Sequence, residues 1–350
     1  MESLNKRQEY IKEYIKNKKE TQIRDILVYI KNDFNVDRRT VIRDIDTLLR
    51  LGYVSKQGAG RSTSYSISNR YDLLKEIDVE KYFSIPFNER EIKTNFNFDI
   101  FDILKESVFS EDEEKKLAQL HSGFVKNFSQ YDSQTLINKE FERILIEFSW
   151  KSSQIEGNTY SLLNTEQLIK NNKLDRKKTK KETQMILNHK DAFNESLQNK
   201  NVFVRLSRAN IEHIHYLLTK DLDIPRNLRK SLVRITGTNY KPLDNIYQIE
   251  EALQMMIKLI NNKENFFEKA FLSLVLLSYI QAFEDGNKRT ARMTANAILL
   301  SYNSIPISYR AVNEIEYKKA SLLFYEVNNL FHFKDIFLKQ FEFAVENYFK

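Results

Sequence analysis

Ten uncharged residues, Phe271 to Ile280 (FLSLVLLSYI), run into a short polar stretch, Gln281 to Arg292 (QAFEDGNKRTAR), and a second apolar-periodic segment, Met293 to Tyr302, leads out of it. A segment that is apolar on every side has to be buried, so two core helices bracketing one polar loop are expected. Whatever else the chain builds must pack around that pair.

The loop carries its own chemistry. Gly286, one of only seven glycines, allows a backbone turn that other residues reach at a cost. Asn287, Lys288 and Arg289 follow it where the next helix starts, and free N–H groups with the positive end of the helix dipole make that point an anion site. Arg289 and Arg292 are three apart, share a helix face and could grip two phosphates of one ligand. Asp285, just before the turn, could hold Mg²⁺, which usually reaches a protein through one or two carboxylates and phosphate oxygens. An isolated GNKR is more often a solvated helix start, but the full spacing reads as a cradle for a nucleotide polyphosphate.

That spacing resembles the signature of the Fic family, HxFx(D/E)GN(G/K)RxxR. Phe283, Asp285, Gly286, Asn287, Lys288, Arg289 and Arg292 fit it in register, and Gln281 stands where the family has its catalytic histidine. Upstream, in WKSSQIEGNTYS, Ser152, Glu156 and Gly157 match (S/T)xxxE(G/N), which resembles the family's inhibitory helix, here about residues 145–157. The resemblance implies that Glu156 pairs with Arg292, where a carboxylate competes with the γ-phosphate for the same donors. Between the motifs, VRITGTNYKP is β-like over Leu232 to Thr236, turns at Gly237 to Asn239 and is extended over Tyr240 to Pro242. It resembles the Fic flap, a β-hairpin that takes a target segment as an added strand, which makes Thr236, Gly237 and Thr238 flap-tip residues.

The resemblance implies AMP transfer from ATP·Mg²⁺ to a hydroxyl of a target protein. Asp285 would bind Mg²⁺, Gly286, Asn287 and Lys288 would form the anion cradle, and Arg289 and Arg292 would hold the outer phosphates. A histidine would act as general base, and a glutamine is far too weakly basic for that role. This copy is therefore expected to bind ATP·Mg²⁺ and to transfer AMP poorly. Two other readings stay open: a nucleotide-sensing transcription regulator without catalysis, and a kinase-like phosphoryl transfer suggested by Lys288. His213 and His215 lie on another helix, and nothing in the sequence places either near the loop.

The remaining organisation follows from length and charge. At 350 residues the chain can hold two or three domains. It has no long apolar run, no signal-like N-terminus and no cysteine, so a cytoplasmic protein without disulfides or thiolate metal sites is expected, with no membrane partner. Residues 1–70 carry 15 Lys+Arg against 9 Asp+Glu, so almost all of the net charge of +7 sits there. Helical periodicity over Leu4–Lys18, Thr21–Asn32 and Arg38–Leu51, an N-cap at Asp37, and strands over Tyr53–Lys56 and Ser64–Ser68 resemble a winged helix-turn-helix. Arg38, Arg39, Thr40 and Arg43 would then face DNA bases and Arg61 would contact DNA from the wing. Paired half-sites would suit a homodimer. Asp44 and Asp46 oppose DNA binding unless they face away.

The expected fold is mainly α. A winged helix-turn-helix over 1–70 and a helical linker region over 71–135 precede an all-helical Fic core over 136–350 with a small β-hairpin flap.

Overall fold

The apolar run folds into the core of its own unit because no face of it can be left in water. In the computed structural model, which describes residues 4–31 and 33–350 with the side chains of Arg61 and Asn69 excepted, Phe267 to Ile280 are all buried. The chain divides into two compact units, Met1–Glu76 and Ile77–Lys350.

The first unit holds α1 (Lys6–Lys18), α2 (Ile23–Ile30), α3 (Arg38–Arg50) and α4 (Asn69–Leu74), with strands β1 (Thr21–Gln22), β2 (Val54–Gln57) and β3 (Ser64–Ile67). Asp37 caps α3 by accepting from Thr40 N at 2.9 Å, and Val41, Ile45 and Leu48 put one face of that helix in a core with Ile11, Ile15 and Ile26. The sheet runs β1-β3-β2, all antiparallel, with Thr21 opposite Tyr65 and Val54 opposite Ile67. Thr21 and Gln22, which periodicity assigned to a helix, are the third strand. Two residues are too few to show a period of their own, and β3 supplies the partner. Asn32, the expected end of that helix, lies outside the described residues.

The second unit is helical: α5 (Val79–Ser84), α6 (Ile100–Ile103), α7 (Glu111–Phe128), α8 (Gln134–Ile155), α9 (Leu162–Asn171), α10 (Lys180–Gln198), α11 (Arg208–Thr219), α12 (Ile246–Asn262), α13 (Phe266–Ile280), α14 (Asn287–Ser301), α15 (Glu314–Val327) and α16 (Phe331–Asn347). α13 and α14 form the central pair, α8, α10 and α11 pack on α14, and α12 and α15 pack on α13. Each fully buried Phe or Leu of α13 contributes about 1.5–3 kcal/mol as an upper estimate. Its two internal charges are paired, Glu268 with Lys263 at 2.9 Å and Lys269 with the Tyr302 hydroxyl at 2.9 Å.

The stretch expected as a linker divides between the units, and from Ile77 onward it packs with the second. Phe96 stacks on Tyr279 with ring centroids 4.5 Å apart, Asn97 N donates to the Tyr279 hydroxyl at 3.0 Å, and buried Arg90 pairs with buried Glu326 at 3.0 Å. Phe96, Phe98 and Phe101 cluster with one another and on Tyr279 rather than lining one face of a long helix or strand, so no period marks them.

The hairpin expected over 232–242 is not formed. The described residues there carry a turn at Thr236–Gly237 between extended arms that do not pair with each other, and the one bridge runs from Lys241 to Asn95. A side chain joins the arms at their base: Arg229 donates to Ser231 O at 2.9 Å and to Leu243 O.

Candidate active site

α13 ends because residue 281 leaves the helical region. Gln281 is its C-cap at φ +52°, ψ +55°, and its side-chain amide turns back to donate to Ser278 O at 2.5 Å. The loop then closes on Asn287, whose Oδ1 accepts from Phe283 N at 2.8 Å while its Nδ2 donates to Phe283 O at 2.7 Å. The amide of Asn287 therefore shapes the cradle. Gly286, at φ +83°, caps α14, and a Cβ there would come within 3.0 Å of Thr219 Cγ2. Only glycine enters this turn without strain. The N–H groups of Asn287, Lys288 and Arg289 follow as the first turn of α14 without a backbone acceptor among the described residues, as an anion site requires.

The two arginines are buried and have different neighbours. Arg289 turns under the loop, donating to Leu218 O and to the Asp285 carboxylate, both at 3.3 Å, and burial lowers its pKa. Arg292 reaches the end of α8. Its Nε donates to Ser152 Oγ, and its Nη2 to Ser152 O and Glu156 Oε1, all at 2.9 Å. Glu156 is delivered there by the way α8 stops. It is the C-cap, Gly157 follows at φ +93°, and Gly157 N and Asn158 N return to Gln154 O and Ser153 O at 2.8 and 3.1 Å. Those two bonds make a Schellman ending, which needs a left-handed residue after the cap. Arg292 Nη1 is buried with no hydrogen-bond partner, close to the Tyr317 ring.

Burial opposes ionisation of Glu156, but Arg292 first, then Lys288, outweigh it and hold the carboxyl below its ordinary range. Because the folded value lies below the unfolded value of about 4.3, the stability from this pair is complete above that pH and is lost as pH falls through the folded value. The gap in melting temperature between this chain and Glu156→Gln is expected to stay constant from about pH 8 to 5 and to close in more acidic buffer. A gap that instead closed near neutrality would contradict the assignment.

Asp285 is exposed; its Oδ1 accepts from Gly286 N at 2.6 Å and its Oδ2 from Arg289. No group of three or more His, Cys, Asp or Glu among the described residues could hold a metal. One free-facing carboxylate fits an ion that arrives with phosphate oxygens, and does not make a resident metal site.

Two histidines missed in the sequence belong to this neighbourhood. His215 on α11 hydrogen-bonds Asp285 O through Nε2 at 3.0 Å and stacks on Phe283 with ring centroids 3.7 Å apart. Burial lowers its pKa to about 4, so it is neutral and Nε2 is the donor. His189 on α10 contacts Met185 O through Nδ1 at 2.8 Å and Ser152 Oγ through Nε2 at 3.0 Å, and burial lowers its pKa to about 3. With Nδ1 donating to the carbonyl, Nε2 accepts from Ser152, whose oxygen accepts from Arg292. Both histidines sit on the buried stripe of an amphipathic helix, as Ile211, Ile214, His215, Leu218 and as Met185, Ile186, His189, Phe193. A polar residue on such a stripe was the signal available.

At the expected flap tip Thr236 and Gly237 are exposed and Thr238 is buried, its hydroxyl accepting from Tyr240 N at 3.0 Å. In the first unit Arg38, Arg39 and Arg43 are exposed along α3 and Thr40 is half-buried. Asp44 faces inward, taking Arg7 Nε at 2.5 Å and Gln8 Nε2 at 3.2 Å, whereas Asp46 is exposed. The Arg61 side chain lies outside the described residues.

The Fic/DOC family model matches residues 205–299. A probable protein adenylyltransferase of Aquifex aeolicus (strain VF5) is 27% identical over 107 residues, which cover 30% of this chain and 33% of that protein. The match thus spans about a third of that relative. Among solved structures, Fic-1 (residues 134–508) from C. elegans superposes with a TM-score of 0.59 at 19% identity, covering 68% of this chain and 72% of that one. A Fic domain containing signalling protein from Bacteroides thetaiotaomicron gives 0.55 at 18% identity, covering 66% and 94%. The mainly helical fold is that of these Fic structures. No described helix is long and apolar enough to cross a membrane.

Proposed function

We propose that this chain is a Fic-type protein adenylyltransferase scaffold that binds ATP·Mg²⁺ in the 281–292 loop, is held inhibited by Glu156 and is impaired in transfer by Gln281. The observation that carries this reading is the 2.9 Å pair of Glu156, at the end of α8, with Arg292 of α14, a helix whose first-turn N–H groups have no backbone acceptor among the described residues. A γ-phosphate and the Glu156 carboxylate would need the same guanidinium, so inhibition follows from competition for one bidentate donor.

In the transfer, a target hydroxyl oxygen would attack the α-phosphorus while the bond to the bridging oxygen of the β-phosphate breaks, with pyrophosphate as the leaving group. The first-turn N–H groups of α14, Lys288 and Arg292 would stabilise charge on the phosphates, and Asp285 would hold the ion that comes with them. The hydroxyl proton has no acceptor at position 281, because a glutamine carbonyl is not basic enough to take it. The test is labelling of the Gln281→His, Glu156→Gly protein with α- or γ-labelled ATP. Label from the α position alone supports AMP transfer, label from the γ position alone would mean phosphoryl transfer, and bound ATP with neither label would favour a nucleotide-sensing regulator.

The first unit would bind DNA through Arg38, Arg39, Thr40 and Arg43, with Arg61 on the wing, as a cytoplasmic homodimer. The inward turn of Asp44 supports this by removing one carboxylate from the exposed face. Arg43→Ala is expected to weaken binding to mixed-sequence DNA and, if Arg43 meets phosphate, to reduce the salt slope by about one. An unchanged affinity and slope would remove Arg43 from the interface.

A further inference from the structure

Three arginines are among the largest fully buried side chains, and two of them, Arg289 and Arg292, belong to the loop. The third, Arg229, is 1% exposed and forms no ion pair among the described residues. Its charge is met by carbonyls. Nε donates to Gln281 O at 2.5 Å, Nη1 to Ser231 O at 2.9 Å and Nη2 to Leu243 O, while its own backbone N–H donates to Ala282 O at 3.0 Å.

These four bonds converge on two places. Ser231 and Leu243 are the two ends of the arm-turn-arm segment, and Gln281 and Ala282 are the first two residues of the loop. The arms make no ladder with each other, so their base depends on side chains. Other ties exist: Arg90 Nη2 to Gly237 O at 2.6 Å and Lys241 N to Thr94 O at 2.7 Å farther out, and the Ser231 hydroxyl to Glu284 at 3.2 Å at one end. Arg229 alone among these joins both ends of the segment to residue 281. It also holds the carbonyl of a non-glycine residue in the left-handed region, where backbone strain of about 1 kcal/mol or more has to be offset by neighbours. A planar fork of donors suits three carbonyls from separate segments, and a lysine cannot span them.

We propose that Arg229 is a positioning residue that makes the base of the 231–243 segment and the backbone of residue 281 one rigid unit, so that a hydroxyl carried on that segment arrives in register with the side chain at 281. This deepens the adenylyltransferase reading and rests on it for the catalytic consequence. The structural coupling stands or falls without it.

The experiment uses the full chain with Arg229→Met and Arg229→Lys, each alone and in the Gln281→His, Glu156→Gly background. Amide hydrogen exchange is followed in 230–243 and 281–283, together with ATP·Mg²⁺ affinity and self-labelling from α-labelled ATP. In Arg229→Met both segments are expected to exchange about tenfold faster or more, in step, with ATP affinity changed less than about threefold. Labelling should fall about 10²-fold, the scale of an ångström-level misplacement. Arg229→Lys should lie between the two, and it decides the matter should Arg229→Met not fold. Loosening of one segment without the other, or of neither, overturns the coupling. A loss of ATP binding that matches the loss of labelling overturns the positioning role. If the Gln281→His, Glu156→Gly parent does not label at all, the adenylyltransferase reading fails, and the exchange data still judge the coupling.

Discussion

Gln281→His is expected to raise AMP transfer from α-labelled ATP by about 10²- to 10⁴-fold, the usual contribution of a positioned general base. The backbone is already set for it. Residue 281 sits at φ +52°, a region where histidine is among the enriched non-glycine residues, and its carbonyl is held by Arg229. The substitution gives up the amide bond from Gln281 to Ser278 O and releases the side chain from the end of α13. The positive charge of Arg229, bonded to the same residue, disfavours a protonated imidazole and so favours the neutral form a base requires. Transfer unchanged by the histidine even in the Glu156→Gly background, with ATP bound, would end the adenylyltransferase reading for this chain.

Glu156→Gly is expected to move two quantities in opposite directions. Without nucleotide the protein should melt at a lower temperature, because Arg292 keeps its bonds to Ser152 but loses the carboxylate that balances its buried charge. With ATP·Mg²⁺ the affinity should rise about 10- to 100-fold, corresponding to release of a charge-assisted hydrogen bond of about 1.5–3 kcal/mol. Thermal melting with and without ATP·Mg²⁺ reads both. A variant that melts lower and binds ATP no better would mean that Glu156 serves stability alone. In the Gln281→His background the same change should add to transfer, since it acts on phosphate binding and the histidine acts on the proton.

Much of the backbone of the candidate site was legible in the sequence. The apolar run over 271–280, Gly286 and the arginine spacing are local features, and a helix pair with a left-handed glycine between them follows from them directly. The Ser152, Glu156, Gly157 pattern ends a helix by local bonding, and that ending aims the carboxylate. The roles inside the loop were less legible. Asn287 and Arg289 read as ligands of the phosphates, yet the structure uses the Asn287 amide to close the loop and tucks Arg289 beneath it.

The hairpin over 232–242 failed for a different reason. A β-like arm, a turn and an extended arm predict paired strands, but a strand needs a partner, and the Lys241 arm finds its bridge at Asn95 while the base is held by Arg229. The stretch from Ile77 to Phe101 had no period to read because its aromatics cluster across short turns and on Tyr279 instead of lining one face of a long element. The sequence by itself determined the central helix pair, the glycine turn and the two caps, since each rests on bonds within a few residues. Tertiary structure alone decided that His215 lies under the loop, that His189 orients Ser152 and that Arg229 joins residue 281 to Ser231 and Leu243. His215 to Asp285, His189 to Ser152 and Arg229 to Gln281 each cross tens of residues of chain, and a buried donor takes whichever acceptor packing brings to it.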